Sequence, residues 1–126
     1  MERKIRIVSG PQEIIGILHD CPTSDAIWDA LPLTSTAQTW GDEIYFIIPV
    51  HINLDDTAHE VVKKGDLGYW PNGPAFCIFF GPTPASTGTE IRPASAVNVF
   101  GNVIGDLSVL HQLRAGAAIR VEKASG

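Results

Sequence analysis

Apolar residues recur at alternate positions near the start of the chain, where Ile5 and Ile7 alternate with Lys4 and Arg6. Ser9-Gly10-Pro11 interrupts the alternation before a second apolar run of Ile14, Ile15, Ile17 and Leu18. A period of two broken by a glycine-proline turn predicts a β-hairpin. After Cys21-Pro22 the period lengthens, and Ala26, Ile27, Ala30 and Leu31 fall on one face of a helix that Thr23 or Ser24 caps and Pro32 stops. Barely two turns long, such a helix is not stable alone, so it must cover an apolar opening in something larger.

Strand-forming residues return from Thr34. Thr39-Trp40-Gly41-Asp42-Glu43 leads into the apolar run Ile44 to Val50, and Gly-Asp between two such runs marks a tight turn or bulge. Residues 51–64 are more polar and read as a connection, in which Asp55 or Asp56 starts a brief helical turn through Ala58, His59 and Val61. Gly68 to Phe80 reads as two strands around the turn Pro71-Asn72-Gly73-Pro74. In the second strand Phe76, Ile78 and Phe80 face one way and Cys77 and Phe79 the other, and the pattern leaves open which set is core.

Gly81 to Pro93 is rich in Thr, Ser, Gly and Pro and reads as an exposed loop with restricted ends, a plausible rim. Ala96, Val97, Val99, Phe100, Val103 and Ile104 make a further strand with a bend at Gly101. Asp106 then caps a helix whose Leu107, Leu110 and Leu113 share a face and which Gly116 ends. Ala117 to Lys123 is a final strand, and Ala124-Ser125-Gly126 should fray.

The sum is about eight strands and two short helices, without the βαβ alternation a parallel sheet requires. The fold class is therefore all-β and mainly antiparallel. Closure removes exposed edges from such a sheet, and short helices would seal its ends, so the expected architecture is a β-barrel with two short capping helices.

Composition narrows the picture. The 126 residues form one expected domain, 1–126, long enough to bury roughly two-thirds of the surface of the unfolded chain. A net charge of −5, with basic clusters confined to Arg3, Lys4, Arg6 and Lys63, Lys64, argues against nucleic acid as a partner. No apolar segment approaches the ~20 residues that span a bilayer, and no signal-like segment opens the chain, so a cytoplasmic protein that does not engage membranes is expected. Cys21 and Cys77 belong to no C-x-x-C pair or zinc spacing; free thiols in a reducing compartment are the favoured reading, with a disulfide as the alternative.

Three blocks carry a resemblance. TWGDEIYF (Thr39 to Phe46), GDLGYWPNGPAFCIFFGPTP (Gly65 to Pro84) and RPASAVNVFGNV (Arg92 to Val103) are similar to those of a small prokaryotic cyclophilin-like domain family, and the similarity covers nearly the whole chain. The resemblance implies a closed eight-stranded cyclophilin-like β-barrel and a family whose biochemical role is largely unassigned. Cyclophilins proper are peptidyl-prolyl isomerases that use an arginine within F-x-x-H-R, followed by F-x-x-Q-G-G. Neither string occurs here, so no catalytic residue is carried over.

The middle block, Gly65 to Pro84, concentrates five aromatics, four prolines and four glycines, a composition that holds bulky rings in set positions. Trp70 suits a pocket edge, Tyr69 a packed corner, and the Trp70-Pro71 bond is a candidate for the cis form. Glu43 and Tyr45 share a strand face beside Trp40. Glu43 either accepts hydrogen bonds from a ligand or satisfies backbone donors at a rim. His19 with Cys21, and Asp55 with His59, lack the further ligands a metal needs, so no metal and no cofactor is expected. His111 sits near the carbonyl end of the last helix, which favours an imidazolium. Hydrolase elbows and phosphate loops are absent.

The expected function is a cyclophilin-like binding module that holds a peptide or small molecule in a groove lined by Trp40, Glu43, Tyr45, Trp70, Phe79 and Arg92. The alternative is a divergent prolyl isomerase using the same groove, with Arg92 as donor to a twisting amide. A third reading makes the aromatic patch a homodimer contact.

Overall fold

β1 (Arg3–Ser9) and β2 (Gln12–Leu18) pair antiparallel with Ile7 opposite Ile14, and Gly10 makes the turn at φ +58°. This is the hairpin the alternation predicts. The computed structural model describes residues 3–124; Ser125 and Gly126 of the expected frayed end lie outside them, while Ala124 is tied by its N–H to the Lys4 carbonyl at 3.0 Å.

Helix α1 (Pro22–Ala30) starts one residue before the expected caps. Pro22 occupies the first turn, where its missing N–H costs nothing. Thr23 and Ser24 are consequently inside the helix and buried rather than capping it. They serve the sheet instead: Ser24 Oγ donates to the Phe100 carbonyl at 2.7 Å, and Thr23 Oγ1 accepts from Asn98 Nδ2 at 3.2 Å. Ile27 points into the core, so the helix does cover an apolar surface.

The remaining elements are β3 (Leu33–Thr36), β4 (Gln38–Thr39), β5 (Glu43–Ile47), β6 (Ala58–His59), β7 (Asp66–Trp70), β8 (Ala75–Phe79), β9 (Val97–Ile104), a 3-10 turn (Ser108–Gln112) and β10 (Ala118–Lys123). Among the described residues ten strands make one sheet in the order β3-β10-β1-β2-β9-β7-β8-β5-β4, with β6 on β9. Every pairing is antiparallel. The two ends of this path, β3 and β4, are successive in the chain, separated by Ala37, which exchanges backbone hydrogen bonds with Gly116 and Ala117 at 2.8 Å each.

Three local expectations are corrected. Residues 55–61 form no helical turn: Asp55 Oδ1 caps the Thr57 N–H, and Ala58 and His59 pair with Asn98 and Val97 as β6. An aspartate that bonds the backbone two residues on favours a turn over a helix. The second capping helix is a five-residue 3-10 turn, because Leu107, Leu110 and Leu113 recur every three residues, the period of that tighter coil. The cis bonds precede Pro32 and Pro74 rather than Pro71.

Both faces of β8 are buried, which answers the question its pattern left open. Phe76, Ile78 and Phe80 join Ile44, Phe46, Tyr69 and Phe100 in the main core, where Phe46 stacks on Phe76 at 4.8 Å and Phe100 meets Phe76 edge-on at 5.1 Å. Ala75, Cys77 and Phe79 join Val62, Ile91 and Val97 in a second cluster on the opposite face. That face is roofed by the segment 81–96, anchored where Val62 N–H donates to the Ile91 carbonyl at 3.0 Å.

Candidate functional site

The β4–β5 turn sets one wall. Trp40 N–H donates to the Glu43 carbonyl at 2.9 Å across the turn, which Gly41 completes at φ +62°. The turn is docked on the start of the roof: Asp42 N–H donates to the Pro82 carbonyl and Phe80 N–H to the Asp42 carbonyl, both at 3.0 Å. Glycine is required at 41 on two counts, since a Cβ there would lie 2.9 Å from both Thr83 Cα and Pro84 Cδ.

The roof is tied internally. Thr83 Oγ1 donates to the Arg92 carbonyl, and Ser86 Oγ accepts from the backbone N–H groups of Thr83 at 3.0 Å and Arg92 at 3.2 Å. Glu90 accepts from the Thr87 backbone and hydroxyl and from the Gly88 N–H, and these bonds hold its carboxyl down at about 2.

Between sheet and roof lies a hollow of about 270 Å3 lined by Trp40, Glu43, Tyr45, Trp70, Cys77, Pro93, Ala94 and Val97. β5 supplies Glu43 and Tyr45, which share a face by their spacing, and the ladder sets Cys77 of β8 opposite Tyr45. Trp70 is held at its edge by Nε1 donating to Ser95 Oγ at 2.7 Å.

Glu43 is 5% exposed, and its Oε1 has no hydrogen-bond partner. Among the described residues the other such buried atom, Arg6 Nε, has an ion-pair partner in Glu13 Oε1 at 3.3 Å. Burial pushes the Glu43 carboxyl up to about 7, against a smaller opposing effect from the Cys77 thiol beside it. The thiol is itself driven well above its usual range, by burial first and by the neighbouring carboxyl second. An unmet buried hydrogen-bonding group costs about 1–3 kcal/mol until something satisfies it.

Of the six residues the sequence nominates, Trp40, Glu43, Tyr45 and Trp70 come together in this hollow, while Phe79 and Arg92 lie outside its lining. Phe79 is fully buried in the second cluster, where a Cβ on Gly68 would come 3.0 Å from its ring. Arg92 turns back along its own loop, with Nε donating to Glu90 Oε2 at 3.4 Å. Sequence reasoning passed over Cys77, Pro93, Ala94 and Val97 as lining residues. The period-two spacing of Cys77 and Phe79 was visible, but the strand they pair with was not.

Other chemistry is sparse. Cys21 and Cys77 are both free thiols. His19 Nε2 meets Asn102 Oδ1 at 3.0 Å, His59 Nδ1 donates to the Thr57 carbonyl at 2.7 Å, and His111 packs edge-on against Phe80. Among the described residues no three His, Cys, Asp or Glu side chains converge as a metal site, and no helix is long and apolar enough to cross a membrane. A wider depression by the hairpin tip, lined by Gly10, Pro11, Gln12, His111 and Arg114 among others, is more polar and, among the described residues, contains no unpartnered buried group.

Comparison with known proteins agrees with this architecture. A family model described as cyclophilin-like matches residues 3–122. The chain is also similar to a hypothetical protein from Archaeoglobus fulgidus whose structure was determined in solution, with 43% identity and a TM-score of 0.84 over 98% of this chain and 95% of that one. No curated protein matches.

Proposed function

This chain belongs to the cyclophilin-like family, and on that premise we propose that it is a binding module that holds a small molecule or a short peptide segment in the hollow between sheet and roof. The observation that carries the reading is Glu43: a carboxyl 5% exposed, with Oε1 unpartnered, among the rings of Trp40, Tyr45 and Trp70. Such an arrangement has the form of a ligand pocket, mostly apolar with one placed polar group. In the same reading the sheet works as the closed barrel of its family, with the continuous stretch 33–39 shared between β10 on one side and β5 on the other. A wrapped sheet is stiff, and stiffness keeps the hollow formed before a ligand arrives.

Nucleic acid is a poor occupant, because the net charge is −5 and neither lysine nor arginine is among the lining residues. Prolyl isomerisation is the weaker reading: it asks for a donor beside the twisting amide, and the Arg92 guanidinium is directed at Glu90.

The three tryptophans give the test. A fragment and short-peptide screen followed by 1H–15N NMR should yield ligands that shift the indole signals of Trp40 and Trp70. Trp28 is the internal control, since it packs beneath Lys123 at 4.8 Å and does not line the hollow. A screen in which no ligand moves Trp40 or Trp70 would remove the proposal, and arginine-dependent acceleration in a proline-peptide isomerisation assay would replace it with the enzyme.

A further inference from the structure

We infer that the hollow takes a protonated amine carrying at least one N–H on a compact apolar body, seated with its ammonium group against Glu43 and its charge over the surrounding rings. The inference rests on the binding reading above and names the class of ligand.

Three features of the lining select that chemistry. Glu43 Oε1 has no hydrogen-bond partner at ordinary distance and only the weak Cys77 thiol beside its carboxyl as a donor, so a ligand that brings an N–H supplies what the fold does not. Trp40, Tyr45 and Trp70 offer aromatic walls, whose negative faces attract a cation and more strongly so out of water. Among the described residues no lysine, arginine or histidine lines the hollow, so an ionised Glu43 finds its counter-charge there in the ligand. The titratable groups facing it are the Cys77 thiol from β8, held protonated, and the Tyr45 phenol from β5; the 93–97 segment contributes only Pro93, Ala94 and Val97.

Competing classes fit less well. An anion meets a carboxyl and no cation. A quaternary ammonium satisfies the rings but leaves Oε1 without a hydrogen. A neutral alcohol donates the hydrogen but leaves an ionised Glu43 uncompensated. A metal ion finds only Glu43 and Cys77, and among the described residues no third ligand joins them. A volume of about 270 Å3 suits a body of roughly nine non-hydrogen atoms at about 30 Å3 each, the share of a water molecule in the liquid.

Because the ammonium group selects the ionised carboxylate, binding displaces the proton that Glu43 holds up to about pH 7. Between pH 5.5 and 8, where the amine stays protonated, affinity should therefore be nearly constant above pH 7 and fall by up to about tenfold for each pH unit below it.

The test uses benzylammonium, benzyltrimethylammonium and benzyl alcohol as probes, titrated by calorimetry and by the Trp40 and Trp70 indole signals at pH 8 and pH 5.5. Benzylammonium should bind about tenfold to a hundredfold tighter than the other two at pH 8, the worth of a charged hydrogen bond. Glu43→Gln should abolish that margin, and the pH profile of the wild type checks the same point without a substitution. Equal affinity for all three probes, or an unchanged margin in Glu43→Gln, overturns the amine class. If no probe moves the indoles while the fragment screen finds other ligands there, the amine class falls and the binding reading stands. If the screen is empty as well, both fall.

Discussion

Tyr45 stands directly opposite Cys77 across the β5–β8 ladder, on the face of the sheet that also carries Glu43. One register thus brings a phenol, a thiol and a carboxyl to the floor of a single hollow, and the burial it imposes governs how the last two ionise.

Glu43 should make stability depend on pH. Below pH 4.5 it is neutral in both folded and unfolded chains; between about 4.5 and 7 the unfolded chain releases the proton that the folded one keeps. The folded state then binds more protons, so stability falls as pH rises through this window and levels off above it. A rise of about 2.5 units corresponds to roughly 3 kcal/mol. Glu43→Gln, neutral throughout, should gain on the wild type by up to that amount between pH 4 and pH 8 in urea denaturation. An equal difference at both pH values would mean that the carboxyl ionises in the fold as freely as in water.

Cys77 should be inert in the native protein. Its thiol is buried and held well above the usual range, so the reactive thiolate is scarce, whereas Cys21 is only partly buried. An aromatic disulfide reagent at pH 8 should titrate one thiol in the folded chain and two in denaturant. Rapid reaction of both thiols under native conditions would contradict this packing.

Gly41 and Gly10 both adopt positive φ, at +62° and +58°, but only Gly41 is crowded. Alanine at position 10 should cost about 1–2 kcal/mol for the left-handed backbone alone. At position 41 the added methyl must also push Thr83 and Pro84, bringing the expected loss to about 2–4 kcal/mol. Thermal denaturation of the two variants checks the difference, and equal losses would show that the turn is not docked on the roof.

Asn98, fully buried on β9, ties three segments together. Its Oδ1 accepts from Asp55 N–H at 3.0 Å, and its Nδ2 donates to the Asn53 carbonyl at 3.0 Å and Thr23 Oγ1 at 3.2 Å. Asn98→Ala leaves those groups without their partner and should destabilise by about 2–4 kcal/mol. Thr23→Val removes one bond of the set and should cost about 1 kcal/mol. A loss of under 0.5 kcal/mol for Asn98→Ala would mean that water replaces the amide.

Much of the fold was legible in the residues themselves because it is set by local rules. Alternation around Gly10 specified the hairpin, Pro71-Asn72-Gly73-Pro74 the turn between β7 and β8, and Pro22 to Pro32 the extent of one helix. The spacing of Glu43 and Tyr45 and the aromatic density around Trp70 likewise marked four of the residues that meet in the hollow. What local pattern does not contain is partner choice. Nothing near Phe79 says that its face will be roofed by a loop, and nothing near Cys77 says that it will lie under Tyr45. Those outcomes depend on strands distant in sequence selecting a register, and a shift of one residue would have sent Glu43 to the main core and Ile44 to the hollow.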